Sequence, residues 1–270
     1  MAEGEFVQYR RPPVRNTVLR VYVEPIENFD LNLAITLNSK WGTEYPVLRQ
    51  GLLKSRPRQL PTVTPPFAKG EWWAMSSIEQ TNDSLQRVLG IQFDQISLSW
   101  TFDEDKPEGQ YPGFEKLSQE LDEKLDTFAA AIEEMGSSFE VHACECVYTN
   151  TLEDVRGPDW VSGYLTDWND TAQVAEMPPE TKYLGANFRF ENSSESADTI
   201  SYVRLKDNRK SQEAELTIQV IAKPLGDDPE DRSGLDSSRR LMQAAHRELI
   251  TNFERCASTS MKENWGKEKR

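Results

Sequence analysis

Between Phe114 and Met135, apolar side chains recur at Phe114, Leu117, Leu121, Leu125, Phe128, Ile132 and Met135, at spacings of 3, 4, 4, 3, 4 and 3 residues. Glu, Asp, Lys and Gln fill the positions between them. Such a stripe can only be satisfied by a long helix with one face buried against something apolar. The preceding run, IQFDQISLSWTF from Ile91 to Phe102, places Ile96, Leu98 and Trp100 on one strand face. An acidic turn and Tyr111-Pro112-Gly113 lead from it into the helix, and Gly136 supplies the stop.

The pattern returns near the C-terminus. Glu213–Lys223 reads as a strand, Leu225–Ser233 as an acidic loop, and a helix from about Leu235 carries Met242, Ala245, Leu249, Phe253 and Cys256 at spacings of 3, 4, 4 and 3. Around these anchors, Asn16–Glu24 (NTVLRVYVE) is β-branched, alternates, and is expected to be covered on both faces. Leu31–Trp41 reads as a short helix, and 45–70 as a proline-rich irregular connection. Glu71–Ile78, Leu85–Phe93 and Ile96–Phe102 read as strands, as do Phe139–Thr151, Tyr183–Glu191 and Thr199–Lys206. Trp160–Trp168 reads as a short aromatic segment with helical character.

Both halves therefore run strand, short helical segment, three strands, long helix. The letters barely match between halves, so order rather than identity carries the reading. The expected class is α+β: a duplicated β-α-β-β-β-α unit, a mainly antiparallel sheet with two long helices packed on it. The divisions are an N-terminal arm (1–11), a first half (12–136), a second half (137–257) and a C-terminal tail (258–270), with the halves joined in one folding body.

Composition limits the function classes. A formal net charge of −14 disfavours nucleic acid and anionic membrane as partners. Arg10, Arg11, Arg15 and Arg20 are best read as a solvated basic arm on an acidic body, and nucleic-acid binding through Arg10–Arg20 with Arg56 and Arg58 is the disfavoured third reading. No apolar run reaches the roughly 20 residues that span a bilayer. The N-terminal MAEGEFVQYRRPP has no apolar core of a secretory signal. Three cysteines fit a reducing compartment, so the cytoplasm is the expected location.

Chemistry-bearing candidates are few. His142, Cys144 and Cys146 alternate along one strand and would share a face, a weak metal candidate. Neighbours two apart on a strand are about 6.5–7 Å apart, too far for one tetrahedral ion without help. The expected role is a buried small-residue face, with no metal and no cofactor. Phosphate-cradling glycine loops and a G-x-S-x-G elbow are missing, so no catalytic residue is assigned. Trp100, Tyr111, Tyr148, Asn150 and His246 are the ligand candidates, and a pocket between sheet and long helices would collect Trp100, Tyr148 and His246. Two acidic loops stand before the long helices: Asp103, Glu104 and Asp105 in the first half, Asp227, Asp228, Glu230 and Asp231 in the second. Together they would make a rim for a basic partner.

Ordered landmarks along the chain carry a family resemblance: Pro12-Pro13-Val14, Tyr45-Pro46, Ile91-Gln92-Phe93, Leu98-Ser99-Trp100, Tyr111-Pro112, Val147-Tyr148-Thr149-Asn150, Ala245-His246-Arg247-Glu248-Leu249-Ile250 and Asn264-Trp265-Gly266. In this the chain resembles a bacterial family of similar length known as sporadically distributed proteins. It departs from that family at Asp94-Gln95, where a more basic turn is usual, and in its proline-rich 45–70 segment. The resemblance brings no catalytic residues. Patchy distribution implies horizontal transfer, which fits phage-defence or toxin–antitoxin loci. The expected function is thus a non-enzymatic, protein-binding or regulatory component whose partner is another protein, possibly encoded by a neighbouring gene, with homo-oligomerisation open. The alternative is a small-ligand-binding or catalytic α+β domain.

Overall fold

The computed structural model describes residues 8–9, 12–26, 29, 31–63, 77–106, 110–136, 138–152, 183–208, 213–226, 232–257 and 259–268. The expected aromatic segment Trp160–Trp168 and most of the expected strand Glu71–Ile78 lie outside them. Eleven strands and four helices are present among the described residues. The strands are β1 (Gln8–Tyr9), β2 (Val14–Val23), β3 (Val47–Gln50), β4 (Ile78–Thr81), β5 (Arg87–Gln92), β6 (Gln95–Thr101), β7 (Val141–Leu152), β8 (Tyr183–Ser193), β9 (Asp198–Asn208), β10 (Glu213–Lys223) and β11 (Lys267–Glu268). The helices are α1 (Leu31–Trp41), α2 (Phe114–Glu134), α3 (Gly234–Cys256) and α4 (Thr259–Asn264).

Nine strands form one antiparallel sheet in the order β3-β4-β5-β6-β2-β7-β10-β9-β8. The first strands of the two halves, β2 and β7, are therefore neighbours at the centre, with each half's remaining strands running outward. A separate two-stranded ribbon pairs Gln8 with Glu268 and Tyr9 with Lys267, so part of the expected arm is tied to part of the expected tail. Tyr9 packs edge-on against Phe253 and Trp265.

Both stripes do what their spacing demands. Phe114, Leu117, Leu121, Leu125, Phe128 and Ile132 are buried along α2, as are Met242, Ala245, Leu249, Phe253 and Cys256 along α3. The helices lie side by side on the sheet, linked by Arg239 to Asp122 (3.3 Å) and Asp126 (3.7 Å). Gly113 enters α2 with φ of 94° and Gly136 follows it at 80°, conformations that side-chain-bearing residues adopt only with strain. Below the helices, Leu19, Val21, Leu98, Cys144, Cys146, Ile218 and Val220 form the middle of the core.

The 45–70 connection differs from expectation. Its start pairs as β3, because Val47–Gln50 can extend the sheet beyond β4 before Gly51 turns the chain away. The following stretch crosses the sheet's other face. Leu60 packs there on Tyr22, Ala143 and Ile221, and Arg56 forms a 2.8 Å ion pair with Asp94. No helix among the described residues is long and apolar enough to cross a membrane.

Phe128 is fully buried where α2 meets the core. Phe128→Ala is expected to cost about 3–5 kcal/mol in urea unfolding, whereas Glu123→Ala on the exposed side should stay within about 0.5 kcal/mol.

Candidate functional site

The chain concentrates its candidate residues on the sheet's helix face, near the start of α2. Trp100 on β6, Tyr148 on β7 and His246 on α3 converge with Tyr111 from the segment entering α2. The Tyr111 and Tyr148 hydroxyls are 2.5 Å apart. Their rings meet edge-on at 5.6 Å, and Trp100 lies 5.5 Å from Tyr111. His246 stacks flat on Phe114, with 3.6 Å between centroids and 2° between planes, and its ring is 5.9 Å from Tyr148. Trp100, Tyr148 and His246, the three residues assigned to a pocket between sheet and helices, lie in one packed cluster with Tyr111. Asn150 stands on the same face of β7 and donates to the Leu216 carbonyl at 3.0 Å.

Burial sets the electrostatics. Enclosure in apolar surroundings pushes the His246 pKa down from 6.5 to about 3, so the ring is neutral at neutral pH. Burial pushes both tyrosine hydroxyls well above their usual range, so both are protonated. What the described cluster offers at neutral pH is a set of neutral hydrogen-bonding groups. Among the described residues, the buried Trp100 Nε1 and Asn150 Oδ1 have no hydrogen-bond partner.

The His142, Cys144 and Cys146 trio does not assemble. The β2–β7 register shifts between Tyr22 and Val23, which interrupts the alternation at His142. Cys144 donates to the Ser238 carbonyl under α3 at 3.3 Å. His142 Nε2 instead lies 2.8 Å from the Glu24 carboxylate, with Arg56 3.5 Å from its other ring nitrogen. Burial raises both thiols far above their usual pKa, which makes them poor nucleophiles as well as poor ligands. The sequence expectation of one shared face is corrected by that register shift.

Asp103 and Glu104 line an open cleft of about 460 Å³ with Arg15, Thr101, Phe102 and Leu85. Arg15 sits 4.0 Å over the Phe102 ring and 3.9 Å from Glu104. Leu85 has a φ of 62°, a left-handed conformation costly for a side-chain-bearing residue. Asp105 is an exposed neighbour whose amide bonds the Asp103 carboxylate. Asp227, Asp228 and Asp231 lie outside the described residues.

The sequence reading missed a polar network on the opposite face. Glu145 is buried and accepts from Arg20 (2.5 Å), Tyr22 (2.9 Å) and Gln219. The signal was present: a glutamate between two cysteines, in a strand expected to lie within a large sheet, needs a partner.

No protein-family model and no curated protein matches the chain. Among solved structures it is similar to the di-domain ARO/CYC StfQ from the steffimycin biosynthetic pathway, at 9% identity over 92% of this chain and 98% of that one, with a TM-score of 0.21. A likeness that low carries no argument about fold or chemistry.

The His246 shift has a pH signature. Unfolded, the ring takes up a proton near 6.5; folded, only near 3. Stability is therefore complete above pH 6.5 and falls as pH drops from 6.5 toward 3, by at most about 1.4 kcal/mol per pH unit from this group. Urea midpoints at pH 7 and pH 5 are expected to differ more for the wild type than for His246→Phe. An equal loss in both would remove His246 as the titrating group.

Proposed function

We propose that this chain is a non-enzymatic, cytoplasmic protein-binding component, built from two copies of a β-α-β-β-β-α unit, that docks a partner protein along its β3 edge. One observation carries the reading. All four β3 residues are exposed, Val47 and Leu48 at 44% and 47%, and just beyond them Leu52 and Leu53 stand at 86% and 43%. Apolar side chains gathered on and beside an edge strand are a liability unless something covers them. The net charge of −14 favours a partner whose contact rim is basic. Three buried free thiols fit the cytoplasm. The strand order, mirrored about the β2–β7 pair, supports the duplication.

The family resemblance adds the context of a defence or toxin-control operon, with the partner encoded nearby. Tagged chain purified from its own host is expected to retain the product of an adjacent gene. Replacing Leu52 and Leu53 together by Asp is expected to weaken that retention at least about tenfold, some 1.4 kcal/mol. Retention unchanged by both substitutions would remove the β3 edge as the docking surface.

A second reading has its own support, the unpartnered Trp100 Nε1 and Asn150 Oδ1 beside the tyrosine pair. Under it, a small neutral molecule displaces the His246–Phe114 stack between the sheet and the long helices and satisfies both atoms. A clear rise in melting temperature with such a ligand, abolished by Asn150→Leu, would favour it over the protein-binding reading.

A further inference from the structure

The sheet's other edge differs from β3 in length and chemistry. The eleven residues of β8 present an edge of roughly 35 Å at about 3.3 Å per residue. Asn187 and every residue from Arg189 to Ser193 are exposed. Natural edge strands are blunted by charged side chains, lysine above all, or by proline, bulges or shortness, and the two charges on β8, Arg189 and Glu191, are of opposite sign. Tyr183–Ser193 contains no proline and no lysine, and its pairing with β9 runs without a register shift. Among the described residues no strand occupies its free side.

We propose that β8 pairs with β8 of a second copy, antiparallel and centred on Phe190. The centre follows from the charges. Arg189 and Glu191 flank Phe190 and, opposite Tyr202 and Ile200 of β9, share the sheet face away from the helices. Within one chain they pair with each other. An antiparallel two-fold centred on Phe190 sets each Arg189 opposite the Glu191 of the other copy, twice. Centring on Arg189 or Glu191 opposes like charges, which is destabilising across strands. Centring on Phe188 sets Arg189 opposite Asn187 and Glu191 opposite Gly185, which leaves both charges unmatched. Centring on Asn192 places Glu191 opposite Ser193 and gains nothing.

The helix-side face agrees with this choice. Phe188 and Phe190 lie there with ring centroids 6.5 Å apart, and Phe190 is 45% exposed. The two-fold places Phe190 against its counterpart, and each Phe188 beside the other copy's Asn192. Pairing extends the sheet from nine described strands to eighteen and covers the exposed Phe190 ring. One strand pair is smaller than the roughly 1,600 Å² of a standard interface, so the dimer is weak, in the micromolar range. The β3 edge takes no part, and the proposal stands whether or not that edge binds a partner.

Sedimentation equilibrium of the full chain, over about two decades of concentration spanning the micromolar range, is the test. The wild type is expected to show a monomer–dimer equilibrium. Arg189→Glu and Glu191→Arg should each raise the dissociation constant at least about tenfold, because each opposes like charges at both crossing points. The double variant Arg189→Glu/Glu191→Arg restores opposite charges and is expected to return close to wild type. Both positions are exposed, so unfolding midpoints should barely move, which separates loss of pairing from loss of folding. A wild type monomeric throughout, single reversals that leave the dimer intact, or a double reversal no better than the singles would each overturn the proposal.

Discussion

Arg20 stands directly opposite Glu145 across the central β2–β7 pair, and the order of the whole sheet depends on that crossing. The two nitrogen and oxygen atoms are 2.5 Å apart, and the Glu145 side chain is almost wholly removed from water. Tyr22 and Gln219 bond the same carboxylate, so the network ties β2, β7 and β10. Burial works to lower the Arg20 pKa. The nearby Glu145 carboxylate, with Tyr22 and Asp94, outweighs it, and the guanidinium is held above its ordinary value. A buried pair of this kind is weak as a source of net stability, since desolvation offsets much of the attraction. Its effect is on register. A slip of one residue would turn Arg20 or Glu145 under the helices, where Leu19, Val21, Cys144 and Cys146 now pack. Charge on one face and small apolar groups on the other leave one alignment for the seam between the halves.

That seam explains which features were legible in the sequence. The long helices were, because a stripe repeated over 21 or 23 residues leaves no other solution. So were α1, read to its observed ends, and the strands flanking the long helices. Val47–Gln50 was not, since its proline-bearing context reads as irregular and only the presence of β4 beside it makes it a strand. His142 was misplaced for a similar reason. Strict alternation assigns it to the face of Cys144 and Cys146, but the shift opposite Tyr22 and Val23 arises between strands more than a hundred residues apart. The aromatic and histidine cluster was legible as a list of residues. That it is filled by stacking of His246 on Phe114, rather than open, is a matter of packing that no periodicity encodes. Arg20, expected to be solvated, is instead largely buried against Glu145, a partner 125 positions away that no local pattern names.

The distribution of polar groups shapes the functional account. Around Trp100, Tyr111, Tyr148 and His246 the described groups are neutral and packed, whereas ion pairs lie along the helices, at Lys124–Glu44 and Arg239–Asp122, and on the opposite face at Arg20–Glu145 and Arg56–Asp94. The two edge strands differ: β3 is four residues long with Val47 and Leu48 exposed, and β8 is eleven residues long with Arg189 and Glu191 flanking Phe190.

A double-mutant cycle on Arg20 and Glu145, read by urea unfolding, tests the seam most directly. Arg20→Met and Glu145→Leu should each destabilise by about 3–5 kcal/mol, because each strands a buried charge. The double variant should recover most of that loss, giving a coupling of about 2 kcal/mol or more. Small single effects, or two losses that simply add, would contradict the claim that this pair sets the alignment of the two halves.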